Sequence, residues 1–426
     1  MKLTPYWLDT ATPSGDYSAN PLPERADVAI VGAGFTGLSA ALEAARHGAK
    51  VVVLDEHTVG WGASGRNGGM ATTGLAIGLG KAIKRYGRSR ALEMFSEYNR
   101  AIDTIEELVK EHSIECDFQR SGKLTLAMNA KQVGQMRKTQ QTLADLADYP
   151  VLVVDKEDIH SEIGSDFYAG GMVDPQGAGV HVGRFAHGLA EAGVKAGVTL
   201  CENARVTQLT PRPGGGHEVR TSRGTVHADQ VLVATSGYTG ALTPWLRRRT
   251  IPVGSFIIVT EPLPLETVQR ILPRDRQASD NKMLTYYFRI TPDNRLLFGG
   301  RARFALSSPD SDLKSAEILR QAMTTVFPYL ASVQIDYTWG GLVDLTMDQM
   351  VHAGQHEGIH YSLGYSGHGV QMATYMGKQM ALSMVGQPSR NLWEQLPYRA
   401  VPGHFGPPWF LPIIGGYAKV VDRINR

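Results

Sequence analysis

Residues 27–56 read DVAIVGAGFTGLSAALEAARHGAKVVVLDE, and this stretch decides the fold. Residues 27–31 form a short apolar run, which is typical of a buried parallel strand. Residues 38–48 have the periodicity of a helix that ends at a glycine. A second apolar run, 51–54, follows at once. The order strand, helix, strand predicts a βαβ unit at the start of an α/β domain.

The turn between the first strand and the helix carries the spacing G-x-G-x-x-G. The first glycine allows a tight turn, the second lets a pyrophosphate approach the backbone, and the third lets helix and strand pack closely. Asp55 lies 23 positions after Gly32, where a ribose-binding acid is expected. In this context the motif predicts a dinucleotide site rather than a structural turn. The loop residues expected to bind the dinucleotide are Gly32, Ala33, Gly34, Phe35, Thr36 and Gly37.

Two features beyond Asp55 favour FAD as the dinucleotide. Asp55 suits NAD or FAD and disfavours a 2′-phosphate. Residues 60–80 are rich in glycine and would supply the extended backbone that cradles a flavin. The apolar run 231–234 leads into a small-residue turn, with Ser236 and Gly237 expected under the cofactor. Since no second G-x-G-x-x-G occurs directly between an apolar strand run and a long helix, a separate NAD(P)H site is not expected.

The pattern along the 426 residues predicts two domains. We expect a Rossmann-like FAD-binding domain that is discontinuous, built from residues 1–117, 173–240 and 336–426. We expect residues 118–172 and 241–335 to form a substrate domain around a mixed or antiparallel sheet. Long helices are predicted at 87–112, 129–147, 179–197 and 370–385, and strands at 225–227, 230–234, 253–260, 283–290 and 296–299.

Charge and cysteine content exclude several classes of protein. The formal net charge of +2 argues against a nucleic-acid-binding surface. No apolar run is long enough for a transmembrane span, and residues 1–27 lack the apolar core of a signal peptide. Cys116 and Cys201 are far apart, which fits a reducing compartment and predicts a cytoplasmic enzyme. Nothing in the sequence indicates the oligomeric state.

No metal site is expected. His352, His356 and His360 recur every four residues, as ligands on one helix face would. Glycines intervene, however, and residues 359–363 have the pattern of a strand. A G-x-S-x-G elbow is also absent, so hydrolase chemistry is unsupported.

Three motifs together resemble the D-amino-acid-oxidase-type FAD oxidoreductases. They are GASGRNGG at 62–69, YFRITPDNRLLFGGR at 287–301 and GYSGHGV at 364–370. More narrowly, the chain resembles gamma-glutamylputrescine oxidase-like enzymes, relatives of glycine oxidase and sarcosine oxidase. The resemblance extends over nearly the whole chain and is specific for the family rather than for the substrate.

The resemblance implies the remaining FAD contacts. Asp55 would bind the adenosine ribose, with Glu56 sharing or altering the contact because the family usually has glutamate there. Val206 would meet the adenine through its backbone. Neither cysteine occupies the flavin-linked position of the sarcosine oxidase group, so FAD would be bound non-covalently. The residues implied between the pyrophosphate and the isoalloxazine are Gly62, Ala63, Ser64, Arg66, Asn67, Gly68 and Gly69, and those implied at the flavin pyrimidine are Gly367, His368, Gly369 and Val370.

Candidates for the catalytic and substrate-binding side chains lie mainly on the 287–301 motif. Strand alternation places Tyr287 and Arg289 on one face, where Arg289 would clamp a substrate carboxylate or else form a surface salt bridge. His368 is expected either at the flavin or as a hydrogen-bonded turn residue. Trp339 is expected either as a pocket wall or as a core residue. Arg66 and Arg301 are further candidates.

These features predict the oxidation of a small primary or secondary amine, such as a gamma-glutamyl polyamine or an N-alkyl amino acid. Hydride would pass to flavin N5, water would hydrolyse the resulting imine, and O2 would be reduced to H2O2. One alternative is a dehydrogenase that passes electrons to a quinone or another carrier. The apolar segment 405–417 would allow such a dehydrogenase to dock on a membrane surface. Packing of this segment in the protein core is, however, the preferred interpretation. The other alternative is a flavin-binding protein without turnover.

Overall fold

The computed structural model of the chain describes residues 1–300, 307–406 and 408–424. Its strands are, in chain order, β1 (Arg25–Val31), β2 (Val51–Leu54), β3 (Met70–Ala71), β4 (Lys123–Ala127), β5 (Leu152–Asp155), β6 (Gly170–Asp174), β7 (Ala178–Gly179), β8 (Thr199–Cys201), β9 (Val206–Pro211), β10 (His217–Thr221), β11 (Gly224–Val233), β12 (Ile251–Thr260), β13 (Gln277–Asp280), β14 (Tyr286–Ile290), β15 (Leu296–Gly300), β16 (Ile335–Leu345), β17 (His352–His356) and β18 (Ile359–Leu363).

The helices enclose two large sheets. They are α1 (Tyr6–Asp9), α2 (Phe35–Arg46), α3 (Ala63–Arg66), α4 (Leu79–Tyr86), α5 (Arg88–Glu111), α6 (Ala130–Ala147), α7 (Val182–Lys195), α8 (Pro244–Arg247), α9 (Leu265–Ile271), α10 (Pro309–Val326), α11 (Gly369–Met384) and α12 (Leu411–Ile424). Short 3-10 turns cover Ile159–Ser161, Ser236–Tyr238 and Pro328–Leu330. The four long helices predicted from periodicity are confirmed as α5, α6, α7 and α11.

The first sheet is the predicted dinucleotide fold. Its strand order is β17-β18-β11-β1-β2-β8, and β1 pairs in parallel with both β2 and β11. The strands predicted at 225–227 and 230–234 are instead one strand, β11. Its first half pairs with β10 and its second half with β18, while β1 lies along most of it. Pairing with β1 continues across the polar residues between these halves, so they do not interrupt the strand.

The second sheet has the order β16-β12-β15-β14-β13-β4-β6-β5. Its pairs are antiparallel except β13 with β4, so the sheet is mixed, and the prediction of an α/β fold with a second sheet is confirmed. The predicted boundary at residue 336 is wrong in one respect. Strand β16 (Ile335–Leu345) pairs with β12 along nearly its whole length, so residues 336–345 belong to the second sheet. Gly340 and Gly341 lie inside this strand.

The C-terminal segment contradicts the expectation of core packing. Leu411 is buried, but Phe405, Trp409, Ile413 and Tyr417 are 69%, 65%, 67% and 64% exposed. Helix α12 therefore buries little of its apolar surface against the rest of the described chain. Among the described residues, no helix combines the length and the apolar character needed to cross a bilayer.

Helices α2 and α11 pack closely because Gly377 has no side chain. A Cβ at Gly377 would lie 2.3 Å from the Thr36 carbonyl oxygen and 3.0 Å from the Ser39 Cβ. This contact fixes the position of α11, whose first turn comes after the 364–368 loop. Gly134, in the middle of α6, has nothing within 4 Å of the corresponding position.

We expect Gly377→Ala to destabilise the protein by about 1–3 kcal/mol, because the added methyl group must push α11 away from the α2 backbone. Gly134→Ala is the matched control and should be neutral or stabilising, since alanine is the better helix former. Urea unfolding of the two variants measures the difference. Equal stabilities of the two variants would contradict this packing account.

Candidate active site

A cavity of about 790 Å³ lies between the two sheets. One end is formed by the loop after β1 and the ends of β2 and β9, and the other end by a polar face of the second sheet. The start of α11 lines it in between. The volume is in the range of protein sites that enclose a whole small molecule.

The glycine-rich loop after β1 has the geometry that its spacing predicts. Gly32 adopts φ +111°, and a Cβ at Gly37 would lie 1.9 Å from the Gly32 carbonyl oxygen. Gly37 is therefore a packing residue and does not line the cavity, whereas residues 32–36 do. The Ser64 hydroxyl accepts a hydrogen bond of 2.9 Å from the Phe35 N–H at the start of α2. The helix N-terminus faces the cavity, as a phosphate-binding turn requires.

Asp55 fixes this loop from the end of β2. Its two carboxylate oxygens accept hydrogen bonds from the N–H groups of Ala33, at 2.6 Å, and His57, at 2.7 Å. Burial raises the pKa of Asp55. Glu56 also lines the cavity and pairs with Arg205 at 3.5 Å. Val206 lies beside this pair at the same end.

The predicted 62–69 segment lies along the middle of the cavity. The Asn67 amide donates to the carbonyls of Ala63 and Ser64 and accepts from the Gly69 N–H, which locks the turn after α3. Arg66 donates to the carbonyls of Trp61 and Gly340 and stacks 4.6 Å over the Trp61 ring. The members that line the cavity are Gly62, Ala63, Ser64, Arg66, Asn67 and Gly68, whereas Gly69 does not.

The 364–370 motif brings the N-terminus of α11 to the cavity. Gly367, His368, Gly369 and Val370 all line it, and a Cβ at Gly367 would meet nothing within 4 Å. The first N–H groups of a helix have no partner within the helix, so they are available to a ligand. Burial, together with a smaller effect of the positive charge of Lys123, lowers the pKa of His368 to about 4. His368 is therefore neutral near pH 7, and its Nδ1 has no partner among the described residues.

Asp344 holds this loop in place from the end of β16. Its carboxylate accepts hydrogen bonds from the N–H groups of Gly364, at 2.7 Å, and Tyr365, at 3.2 Å. Burial nevertheless raises the pKa of Asp344 to about 6. The side chain lines the cavity.

The raised pKa gives Asp344 a measurable effect on stability. An acid whose pKa is higher in the folded protein than in the unfolded chain stabilises the folded state at low pH. This stabilisation is complete below the pKa of the unfolded chain and is lost as the pH rises through the pKa of the folded protein. Between pH 5 and pH 7 this contribution falls by about 1 kcal/mol. We therefore expect wild type to lose about 1 kcal/mol more than Asp344→Asn over this interval, as measured by urea unfolding of the apoproteins. Parallel pH profiles would show that Asp344 has an ordinary pKa.

Two of the four predicted catalytic residues do not line the cavity. The expectation that Arg289 clamps a carboxylate is wrong, because its guanidinium donates to the carbonyls of Gly69, Val180 and Ile290 and is buried behind the cavity wall. Trp339 is a core residue, fully buried, and its Nε1 donates to the Arg66 carbonyl. Their roles are to hold the 66–69 segment against the second sheet.

Of the other predicted residues, some line the cavity and others do not. Tyr287 lines the cavity, and its hydroxyl shares a hydrogen bond of 2.9 Å with Ser255. Ser236 also lines it, whereas Gly237 packs against Leu342 instead. Arg301 lies outside the described residues.

We expect Arg289→Lys to weaken FAD retention and lower the thermal midpoint. Lysine keeps the charge but cannot reach all three carbonyls, and each hydrogen bond lost from the charged group costs about 1.5–3 kcal/mol. The readouts are differential scanning fluorimetry and the flavin content of the purified variant. A variant with normal stability and flavin content but a raised KM for carboxylated substrates would restore the clamp hypothesis.

The second sheet contributes cavity residues that the sequence did not single out. They are Lys123, Ser255, Gln277, Ser279 and Thr285. Alternation along β13 could have indicated that Gln277 and Ser279 face the same side of the sheet, because they are two residues apart. The sequence alone does not show that β13 lies beside β4, so these residues could not be grouped.

The histidines and cysteines form no additional site. His352 bonds Asp348 at 3.0 Å, whereas His360 bonds Gln230 at 2.9 Å. The described residues contain no cluster of potential metal ligands. Cys116 and Cys201 are buried free thiols, and neither lines the cavity.

The cavity fits FAD in shape and in chemistry. Its length joins a phosphate-binding turn at α2 to a second helix start at α11. Each helix start offers N–H groups and a positive dipole end. The unpartnered Nδ1 of His368 and the open space at Gly367 leave polar contacts for a ring system beside α11.

Comparison with known proteins agrees with this geometry. The profile of the family described as FAD dependent oxidoreductase matches residues 27–382. The probable oxidoreductase OrdL of Haemophilus influenzae is 35% identical over 407 residues, covering 93% of this chain and 92% of that protein. The gamma-glutamylputrescine oxidoreductase of Escherichia coli is 35% identical over 383 residues, covering 88% of each. Glycine oxidase from Geobacillus kaustophilus has a similar fold, with a TM-score of 0.71 at 22% identity over 89% of this chain and 99% of that one.

Proposed function

Because the chain belongs to the DAO family of FAD-dependent oxidoreductases, we propose that it oxidises a small primary or secondary amine, with O2 as the electron acceptor. The overall reaction converts the amine, O2 and water into a carbonyl compound, ammonia or a smaller amine, and H2O2. Candidate substrates are gamma-glutamyl polyamines and N-alkyl amino acids.

The observation that carries the proposal is the continuity of the cavity. It joins the Gly32–Thr36 loop to the face of the second sheet that bears Lys123 and Tyr287. A dinucleotide that starts at the loop would end beside this face, so that a substrate held there meets its reactive ring. When bound, FAD would accept a hydride from the amine Cα and pass the electrons to O2.

The chain's own residues would orient the amine and exclude water. Tyr287 is placed by its hydrogen bond to Ser255 and by packing, since a Cβ at Gly68 would lie 3.0 Å from its ring. Neutral His368 would not repel a substrate ammonium group, in contrast to a protonated imidazole. Among the described residues, Asp344 is the carboxylate that the second sheet places at the cavity, and its oxygens accept hydrogen bonds from the N–H groups of Gly364 and Tyr365, so the amine would bind in its neutral form. Turnover should then increase with pH toward the amine's own pKa.

We also propose that the enzyme acts in the cytoplasm. The two buried free thiols support this assignment, since unpaired cysteines are typical of reducing compartments.

The direct test is an anaerobic titration of the purified holoenzyme with a panel of amines. We expect one amine class to bleach the flavin absorbance, and readmitted air to restore it with one H2O2 formed per amine oxidised. If air restores the flavin absorbance only slowly but an added quinone restores it at once, the result favours the dehydrogenase alternative. A flavin that no amine bleaches would favour a binding protein without turnover.

A further inference from the structure

A polar row crosses the face of the second sheet that lines the cavity. Strands β4 and β13 are parallel neighbours, and Lys123 pairs in register with Gln277. Ser279, two residues later, pairs with Tyr287 on β14. The intervening residues Leu124 and Ala278 face the opposite side and belong to the hydrophobic core. Alternation therefore directs Lys123, Gln277, Ser279 and Tyr287 to the cavity.

Lys123 is a cation without a partner within this row. The described residues offer its ammonium group neither a hydrogen bond nor an ion pair, and its accessible surface faces the cavity. Burial lowers the pKa of Lys123, and the neighbouring Asp174 opposes this effect only in part. Asp174 pairs in register with Lys123, but its carboxylate accepts hydrogen bonds from Thr73, Tyr149 and the Gln176 N–H. A buried charge without a close partner is costly unless a ligand compensates it.

The other cations that the described residues place near the cavity are occupied. Arg289 bonds backbone carbonyls behind the wall, and Arg66 bonds two carbonyls and stacks on Trp61. Arg205 pairs with Glu56 at the opposite end. Among the described residues, Lys123 is therefore the cation at the substrate end that remains available to a ligand.

Gln277 adds a second unsatisfied polar group beside Lys123. The side chain is 2% exposed, and its Nε2 donates to the Ser121 hydroxyl at 3.1 Å. Its Oε1 has no partner among the described residues. Because Gln277 also lines the cavity, this oxygen is a candidate to be satisfied by a ligand or a water.

We propose that Lys123, with Gln277 beside it, forms the anchoring subsite for an anionic group, a carboxylate, at the non-reacting end of the substrate. This inference rests on the proposed function and assigns the substrate-selecting charge to Lys123 instead of Arg289. The carboxylate would accept hydrogen bonds from the Lys123 ammonium group, while Gln277 would receive an N–H of the substrate or a bridging water. Lys123 acts here as a specificity-determining residue and not as a proton acceptor.

The test compares the wild-type holoenzyme with Lys123→Met, Lys123→Arg and the control Lys131→Met. Lys131 is exposed on α6, so its variant makes the same charge change away from the cavity. The probes are alkanoates from acetate to pentanoate and their neutral amides, and binding is read as a perturbation of the oxidised flavin spectrum. We expect Lys123→Met to weaken alkanoate binding roughly 10- to 100-fold, as the loss of a charged hydrogen bond does, and to leave amide binding unchanged. Lys123→Arg should restore part of the loss, and Lys131→Met should behave as wild type.

Thermal unfolding separates anchoring from a structural role. Since Lys123→Met removes a buried charge that has no close partner, its thermal midpoint should equal or exceed that of wild type. A lowered midpoint with equal losses for alkanoates and amides would overturn the proposal. So would alkanoate binding that is absent in wild type or unaffected by Lys123→Met.

Steady-state kinetics extend the test to substrates. For an amine with a carboxylate, Lys123→Met should lower kcat/KM mainly through KM, whereas the corresponding carboxamide should be affected little. The binding measurement needs no turnover. If no amine is oxidised but Lys123→Met abolishes alkanoate binding, the proposed function fails and the subsite stands.

Discussion

The packing of helix α2 against strand β1 positions the other walls of the cavity, and it requires that residue 37 has no side chain. A Cβ there would lie 1.9 Å from the Gly32 carbonyl oxygen, so helix α2 can start against the end of β1 only because this position is glycine. The close approach points the first N–H groups of α2 at the cavity. Asp55 then fixes the loop from β2, and Gly377 lets α11 lie against α2. Two helix N-termini are thereby directed at one elongated space.

The second constraint is the distribution of positive charge around that space. Arg289 is used to join the two sheets, since its guanidinium bonds the carbonyls of Gly69 and Val180, which are far from it in the chain. Its charge therefore stabilises the wall and is not available to a ligand. Lys123, by contrast, has no partner of its own within the described residues. Within the described residues, one cation thus has a structural role and the other has no partner, and this difference is the basis of the proposed anchoring subsite.

The parts predicted correctly from sequence are those encoded by contiguous residues. The Gly32–Gly37 turn follows from its spacing, whereas the contacts of the 62–69 segment and of the start of α11 are implied by the family resemblance, and each of the three lies within a few residues of chain. Arg289 was placed on the right face of its strand, but its bonds depend on backbone carbonyls that no local pattern shows. Lys123 was missed because its role follows from the pairing of β4 with β13, two strands far apart in the chain. The boundary at residue 336 was wrong because glycines inside β16 have the composition of a loop.

If the cavity binds FAD as proposed, an amine held on the second sheet delivers a hydride from its Cα to the flavin. The most direct measurement is the anaerobic rate of flavin reduction by an amine substrate, compared with the same amine deuterated at Cα. The account predicts that the flavin is reduced and that deuterium slows the reduction several-fold. Reduction at the same rate by both forms would contradict hydride transfer as the limiting step, and a flavin that stays oxidised with every amine would contradict the assignment of the reaction itself.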